Sequence, residues 1–134
     1  MMNRPDRPSV RSLSLRDSSG TLFEINSKLV RQVHSQGLKD WEEIKKSPTL
    51  KQFTEKGLFV RSWELTDEDL AQWLPDVKSS PEFDTKDLFL GHDRVSFVSY
   101  PYEWAPEMLK EAGLLTLDLA IALSKENLGL KDAT

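Results

Sequence analysis

Between Ala112 and Leu123 the sequence is apolar almost without interruption, with Thr116 and Asp118 the exceptions. Pro106 lies just upstream, and proline suits a first helical position because the N–H it lacks has no partner there anyway. Together these predict the longest helix of the chain, from Pro106 to about Asn127. A helix apolar on all sides is normally covered by neighbours, so the expectation is a long buried C-terminal helix. Asp118 within it would then have to be paired or neutral. So few partners are available to this helix within 134 residues that the chain reads as truncated at its C-terminal end from a larger protein.

The rest of the pattern is α+β. Val10 to Leu15 alternates, Asp17-Ser18-Ser19-Gly20 can turn, and Thr21 to Ile25 is β-prone, which predicts a hairpin. Asn26 or Ser27 can cap a helix carrying Leu29, Val30 and Val33 on one face, with Gly37 as its break. Leu38, Trp41 and Ile44 mark a second helix, and Ser47-Pro48 starts a third that ends at Gly57. Leu58 to Leu65 reads as a strand. Thr66-Asp67-Glu68-Asp69 opens a helix with its carboxylates at the positive end of the dipole. Pro75 to Lys86 reads as a surface loop. Leu88 to Leu90 and Val95 to Ser99 form a second predicted hairpin, turning through Gly91-His92-Asp93-Arg94. The expected organisation is a disordered lead over 1–8 and a single domain over 9–134: small antiparallel hairpins, intervening helices and the long C-terminal helix.

Composition excludes several classes. The net charge of −4 and the spread of Lys and Arg argue against a nucleic-acid groove. No stretch approaches the roughly 20 apolar residues of a membrane span, and Met1 to Pro8 lacks the apolar core of a secretory signal. With no cysteine, a cytoplasmic location is expected. Four tryptophans point to well-built cores.

Candidate chemistry is sparse. There is no G-x-G-x-x-G, no Walker A motif and no nucleophile elbow. His34 and His92 sit in different segments, and no spacing supports a metal site. His92-Asp93-Arg94 reads either as a ligand-contacting cluster or as a solvated turn. Ser99-Tyr100-Pro101-Tyr102-Glu103-Trp104 is the most unusual run, with three aromatics and a carboxylate in six residues. Such side chains can line a pocket and orient a ligand through O–H and N–H groups; the plainer reading is a rigid corner that anchors the long helix. The candidate substrate-binding residues are therefore His92, Arg94, Tyr100, Tyr102, Glu103 and Trp104.

The run Arg94 to Trp104, with Met108-Leu109-Lys110, Leu114 to Leu119 and Leu130-Lys131-Asp132-Ala133-Thr134, resembles the N-terminal region of bacterial S-adenosylmethionine-dependent methyltransferase-like proteins, some related to nodulation proteins. The likeness is specific over residues 88–134 and looser before them. It implies an accessory domain that orders a substrate for a methyltransferase domain further along the parent chain. S-adenosylmethionine would bind in that later domain, and this part would not be catalytically complete by itself. A second, weaker resemblance is to the protein-kinase approach to the catalytic loop: a long helix, a short turn and then Asp132 as the candidate catalytic residue. It implies strands over 88–99 leading to a hinge at Ser99 to Trp104. The chain departs from kinases in lacking a Gly-rich loop and a V-A-I-K lysine, and in carrying Leu130 where kinases place His. The alternative to both is a non-enzymatic protein-interaction module. The expected partners are the C-terminal remainder of the parent chain or, through the apolar helix, a second copy.

Overall fold

In the computed structural model, residues 10–13, 17–73 and 87–131 are described. The predicted lead over 1–8, the whole of the loop expected over Pro75 to Lys86, and Asp132 lie outside them. The chain divides into two compact units, one of Met1–Trp41 with Arg61–Arg94 and one of Glu42–Val60 with Val95–Thr134. The fold is mixed α+β.

The first unit is built on a five-stranded antiparallel sheet. Its strands are β1 (Val10–Ser12), β2 (Gly20–Ile25), β3 (Lys28–Val33), β4 (Ser62–Glu64) and β5 (Leu88–His92), in the order β1-β2-β3-β5-β4. The expected β1–β2 pairing is present, with Val10 opposite Ile25. The helix expected to start at Asn26 or Ser27 is instead β3. Asn26 and Ser27 have φ of 49° and 67°, and two successive positive-φ residues are the mark of the type I′ turn that joins paired strands. Leu29, Val30 and Val33 therefore distribute over two faces of a strand, and Val30 is fully buried.

Side chains two apart share a sheet face. The register aligns Phe23, Val30, Gly91 and Trp63 in one row across β2, β3, β5 and β4. Phe23, Ile25, Val30, Phe89 and Leu65 form the core on this face, with Trp63, Leu70 and Trp73 packed against it. Trp63 and Trp73 meet edge to face at 6.2 Å. Trp73 ends a helix, α3 (Asp67–Trp73), which starts where Thr66 predicted it. Thr66 Oγ1 accepts the Asp69 N–H at 3.1 Å, and the Asp69 carboxylate accepts the Thr66 N–H at 3.0 Å, a reciprocal cap.

Between the units in sequence runs α1 (Ser35–Ile44). Gly37 does not break a helix as expected. It is a buried residue of α1, where a side chain would collide with the Ser19 carbonyl. The strand expected over Leu58 to Leu65 shrinks to β4. The second predicted hairpin is not formed: Gly91 and His92 belong to β5, which pairs with β3 and β4, and Val95 to Ser99 is not a strand. The 88–99 strand pair drawn for the kinase-like reading is thus absent.

The second unit holds α2 (Pro48–Glu55), a 3-10 turn (Pro101–Glu103) and α4 (Pro106–Ser124). Ser47 caps α2 as predicted, its Oγ accepting the Leu50 N–H at 3.1 Å. The following Gly57 has φ 70°. After α4, Asn127 turns at φ 57° and the Leu128 N–H returns to the Leu123 carbonyl at 3.0 Å, which satisfies an end carbonyl. Glu126 then reaches the start of α2. Its carboxylate accepts from Ser47 Oγ and from the Thr49 N–H at 3.1 Å. These bonds, Ser47's first, hold its carboxyl below the ordinary value of 4.5.

The long C-terminal helix forms where predicted, but its burial is one-sided. Leu119 and Leu123 are buried, whereas Leu114, Leu117 and Ile121 are exposed on the opposite side. Asp118 is exposed too, so the partner expected for a buried carboxylate is not required.

The row through Gly91 gives the first prediction. A Cβ there would sit 2.7 Å from two atoms of the Trp63 ring, closer than carbon atoms approach. Gly91→Ala is expected to destabilise the first unit by about 1–3 kcal/mol, as overpacking does. In a Trp63→Leu background the same change should cost measurably less. Urea denaturation of the four proteins of this cycle measures both, and equal costs in the two backgrounds would rule the clash out.

Candidate functional site

The strongest polar constellation is one that the sequence did not single out. It lies at the end of the first unit's sheet where Thr21 and Gln32 pair across β2 and β3. Thr21 Oγ1 and His34 Nε2 share a hydrogen bond of 3.0 Å. On the other side of the ring, Nδ1 is 3.7 Å from Asp87 Oδ2, beyond a direct hydrogen bond. The same Asp87 oxygen accepts a 2.6 Å bond from the buried Gln32 amide. Hydroxyl, imidazole and carboxylate thus follow one another in the order used for nucleophilic catalysis. The link between imidazole and carboxylate is too long to orient the ring, however, and Asp87 is committed to Gln32. The arrangement satisfies a buried amide, which is reason enough for it to exist.

The predicted site residues divide between the two units. His92 and Arg94 belong to the first. His92 Nδ1 is joined to Ser62 Oγ at 2.7 Å, across the register pair that closes the β4–β5 ladder. Its Nε2 is buried without a hydrogen-bond partner among the described residues. Burial, and then the Arg31 guanidinium, hold the ring below its ordinary value of 6.5. Arg94 bonds the Glu24 carboxylate and, at 3.3 Å, the Ser27 carbonyl. Its neighbour Asp93 receives two 3.1 Å bonds from Arg61. The triplet His92-Asp93-Arg94 is therefore engaged with the sheet and its turns, each side chain held by a different partner.

Tyr100, Tyr102, Glu103 and Trp104 belong to the second unit, and the 3-10 turn brings them together. Tyr100 and Tyr102 stack with planes 3° apart and centroids at 5.6 Å. Glu103 accepts the Tyr100 N–H at 2.8 Å. Trp104 Nε1 donates to Ser99 Oγ at 2.8 Å, and the Trp104 side chain is half-buried. The tyrosines face solvent, with Tyr102 84% exposed. Asp132, the candidate catalytic residue, lies outside the described residues.

Among the described residues, no group of three or more His, Asp or Glu is placed to hold a metal ion. No helix among them is long and apolar enough to cross a membrane. No protein-family model, no curated protein and no solved structure matches this chain.

His92 supplies a pH test. Its folded-state value lies below 6.5, so as pH falls through that value the unfolded chain takes up a proton that the folded ring refuses. Stability conferred by the neutral ring is complete above the unfolded value. It falls as pH drops, levelling off below the folded value. His92→Gln should flatten this part of the stability profile as pH falls through and below 6.5. Chemical denaturation at a series of pH values compares the two, and profiles of equal slope would show that His92 titrates alike in both states.

Proposed function

We propose that this chain is a non-catalytic accessory domain that works by presenting surface to another polypeptide. The partner favoured here is the C-terminal remainder of a methyltransferase-like parent protein. The observation that carries the reading is the outer side of α4. Leu114, Leu117 and Ile121 are 47–59% exposed there. At spacings of three and four residues they are neighbours on one helix face, opposite the buried Leu119 and Leu123. Scattered exposed leucines are ordinary, whereas an aligned apolar row on a helix supports a docking role. Covering each half-exposed side chain is worth about 1 kcal/mol, enough to hold a covalently linked neighbour. The Arg94 to Trp104 run and the Leu114 to Leu119 stretch support the methyltransferase context, since they carry the family resemblance. In that context S-adenosylmethionine binds in the parent's own methyltransferase domain.

The kinase-like reading loses its support, because the 88–99 strand pair it requires is not formed.

For the first reading, Leu117→Gln should leave the fold intact, because the side chain faces water and glutamine is a good helix former. It should weaken binding to the separately expressed remainder of the parent chain. Calorimetry measures that binding, and light scattering measures self-association through the same face. A wild-type chain that stays monomeric and does not bind the remainder would sink the docking role. Failure of the full-length parent to bind S-adenosylmethionine would remove only the methyltransferase context.

A further inference from the structure

The segment between Val95 and α4 leaves three aromatic side chains in water. Phe97 is 82% exposed, and Tyr100 and Tyr102 are exposed while stacked on each other. The backbone that carries the two tyrosines is nevertheless held locally. Pro101 restricts the backbone between them, Glu103 accepts the Tyr100 N–H, and Trp104 is tied to Ser99. Holding aromatic rings in place before a partner arrives removes part of the ordering cost of binding.

The chemistry around the rings selects the partner. Between Arg94 and Lys110 the charged residues of this stretch of sequence are Glu103 and Glu107. Glu103 is anchored beside Tyr100 by its bond to the Tyr100 backbone. An aromatic face is the negative pole of the ring quadrupole and attracts cations. The net charge of −4 adds a long-range pull on positive ligands. We infer that the Tyr100–Tyr102 platform, with Glu103 at its edge, binds a basic extended segment of a partner protein, layering arginine or lysine side chains on the rings. This goes beyond the docking role of α4: it is a different surface of the same unit, and it selects by charge where α4 selects by apolar area.

The test uses the full chain and three fluorescein-labelled peptides of equal length: one alternating Arg with Gly and Ser, one with Gln in place of Arg, and one rich in Pro. Fluorescence anisotropy at low salt should show saturable binding of the Arg peptide, with the Gln and Pro-rich peptides at least about tenfold weaker. Tyr100→Ala and Tyr102→Ala should each weaken binding by about two- to fivefold, whereas Tyr102→Phe, which keeps the ring, should bind like wild type. Glu103→Gln should weaken binding and flatten its salt dependence. Circular dichroism confirms that the variants fold. Three outcomes overturn the inference: no binding of the Arg peptide at millimolar concentration, equal binding of the Gln or Pro-rich peptide, or alanine variants that bind as wild type. Leu117→Gln should leave peptide binding unchanged, so failure here and failure of α4 docking are read separately.

Discussion

Asn26 and Ser27, each at positive φ, decide the register on which the first unit depends. A two-residue turn of this kind allows one alignment of β2 with β3, and a slip of one residue would move every side chain to the opposite face. With the turn in place, Phe23 lies opposite Val30 and Thr21 opposite Gln32. The first pair starts the apolar row that continues through Gly91 to Trp63. The second brings the Gln32 amide within reach of Asp87 and the Thr21 hydroxyl within reach of His34. Core and polar network are thus two consequences of a single turn. Gly91 completes the arrangement, since the Trp63 ring occupies the space that any larger residue at that position would fill.

The second unit is organised around helix ends. Glu126, beyond the last turn of α4, satisfies donors at the start of α2 that would otherwise lack partners. A carboxylate at that position also meets the positive end of the α2 dipole. Leu119 and Leu123 lie on the buried side of α4 while Leu114, Leu117 and Ile121 do not. An apolar sequence on every side of a helix therefore coexists with one-sided burial.

How much of this was legible in the sequence depended on the range of the interaction. Helix starts were readable because their causes are local: Ser47-Pro48, Thr66 with Asp69, and Pro106 each carry their own signal. Strand β3 was misread because Leu29, Val30 and Val33 suit a helix face as well as a strand, and the spacing of a short apolar run does not distinguish the two. The signal that could have settled it was Asn26-Ser27 read as a hairpin turn, since the turn itself then places Thr21 opposite Gln32. Val95 to Ser99 failed differently. It is β-prone, but β3 and β4 already take both edges of β5, which no local pattern reveals. Of the candidate site, the cohesion of Tyr100, Tyr102, Glu103 and Trp104 was readable from their closeness in sequence. The engagement of His92 with Ser62, and of Arg94 with Glu24, depends on strand pairing and was not.

The two units differ in what they leave open. In the first, the charged side chains near the sheet largely satisfy one another: Arg31 with Asp17, Arg61 with Asp93, and Arg94 with Glu24. Lys28 and Arg61 also lie over the rings of Trp73 and Trp63. Exposed pairs of this kind contribute little stability, but they occupy the groups that would otherwise attract a ligand. The second unit has the opposite character. The start of α2 and the end of α4 are satisfied, yet the Leu114, Leu117 and Ile121 row and the Phe97 to Tyr102 aromatics remain in contact with water. Unlike a paired charge, apolar area in water gains free energy whenever it is covered. Uncovered apolar area therefore concentrates in the second unit, whereas the charged groups near the first unit's sheet are largely engaged with one another.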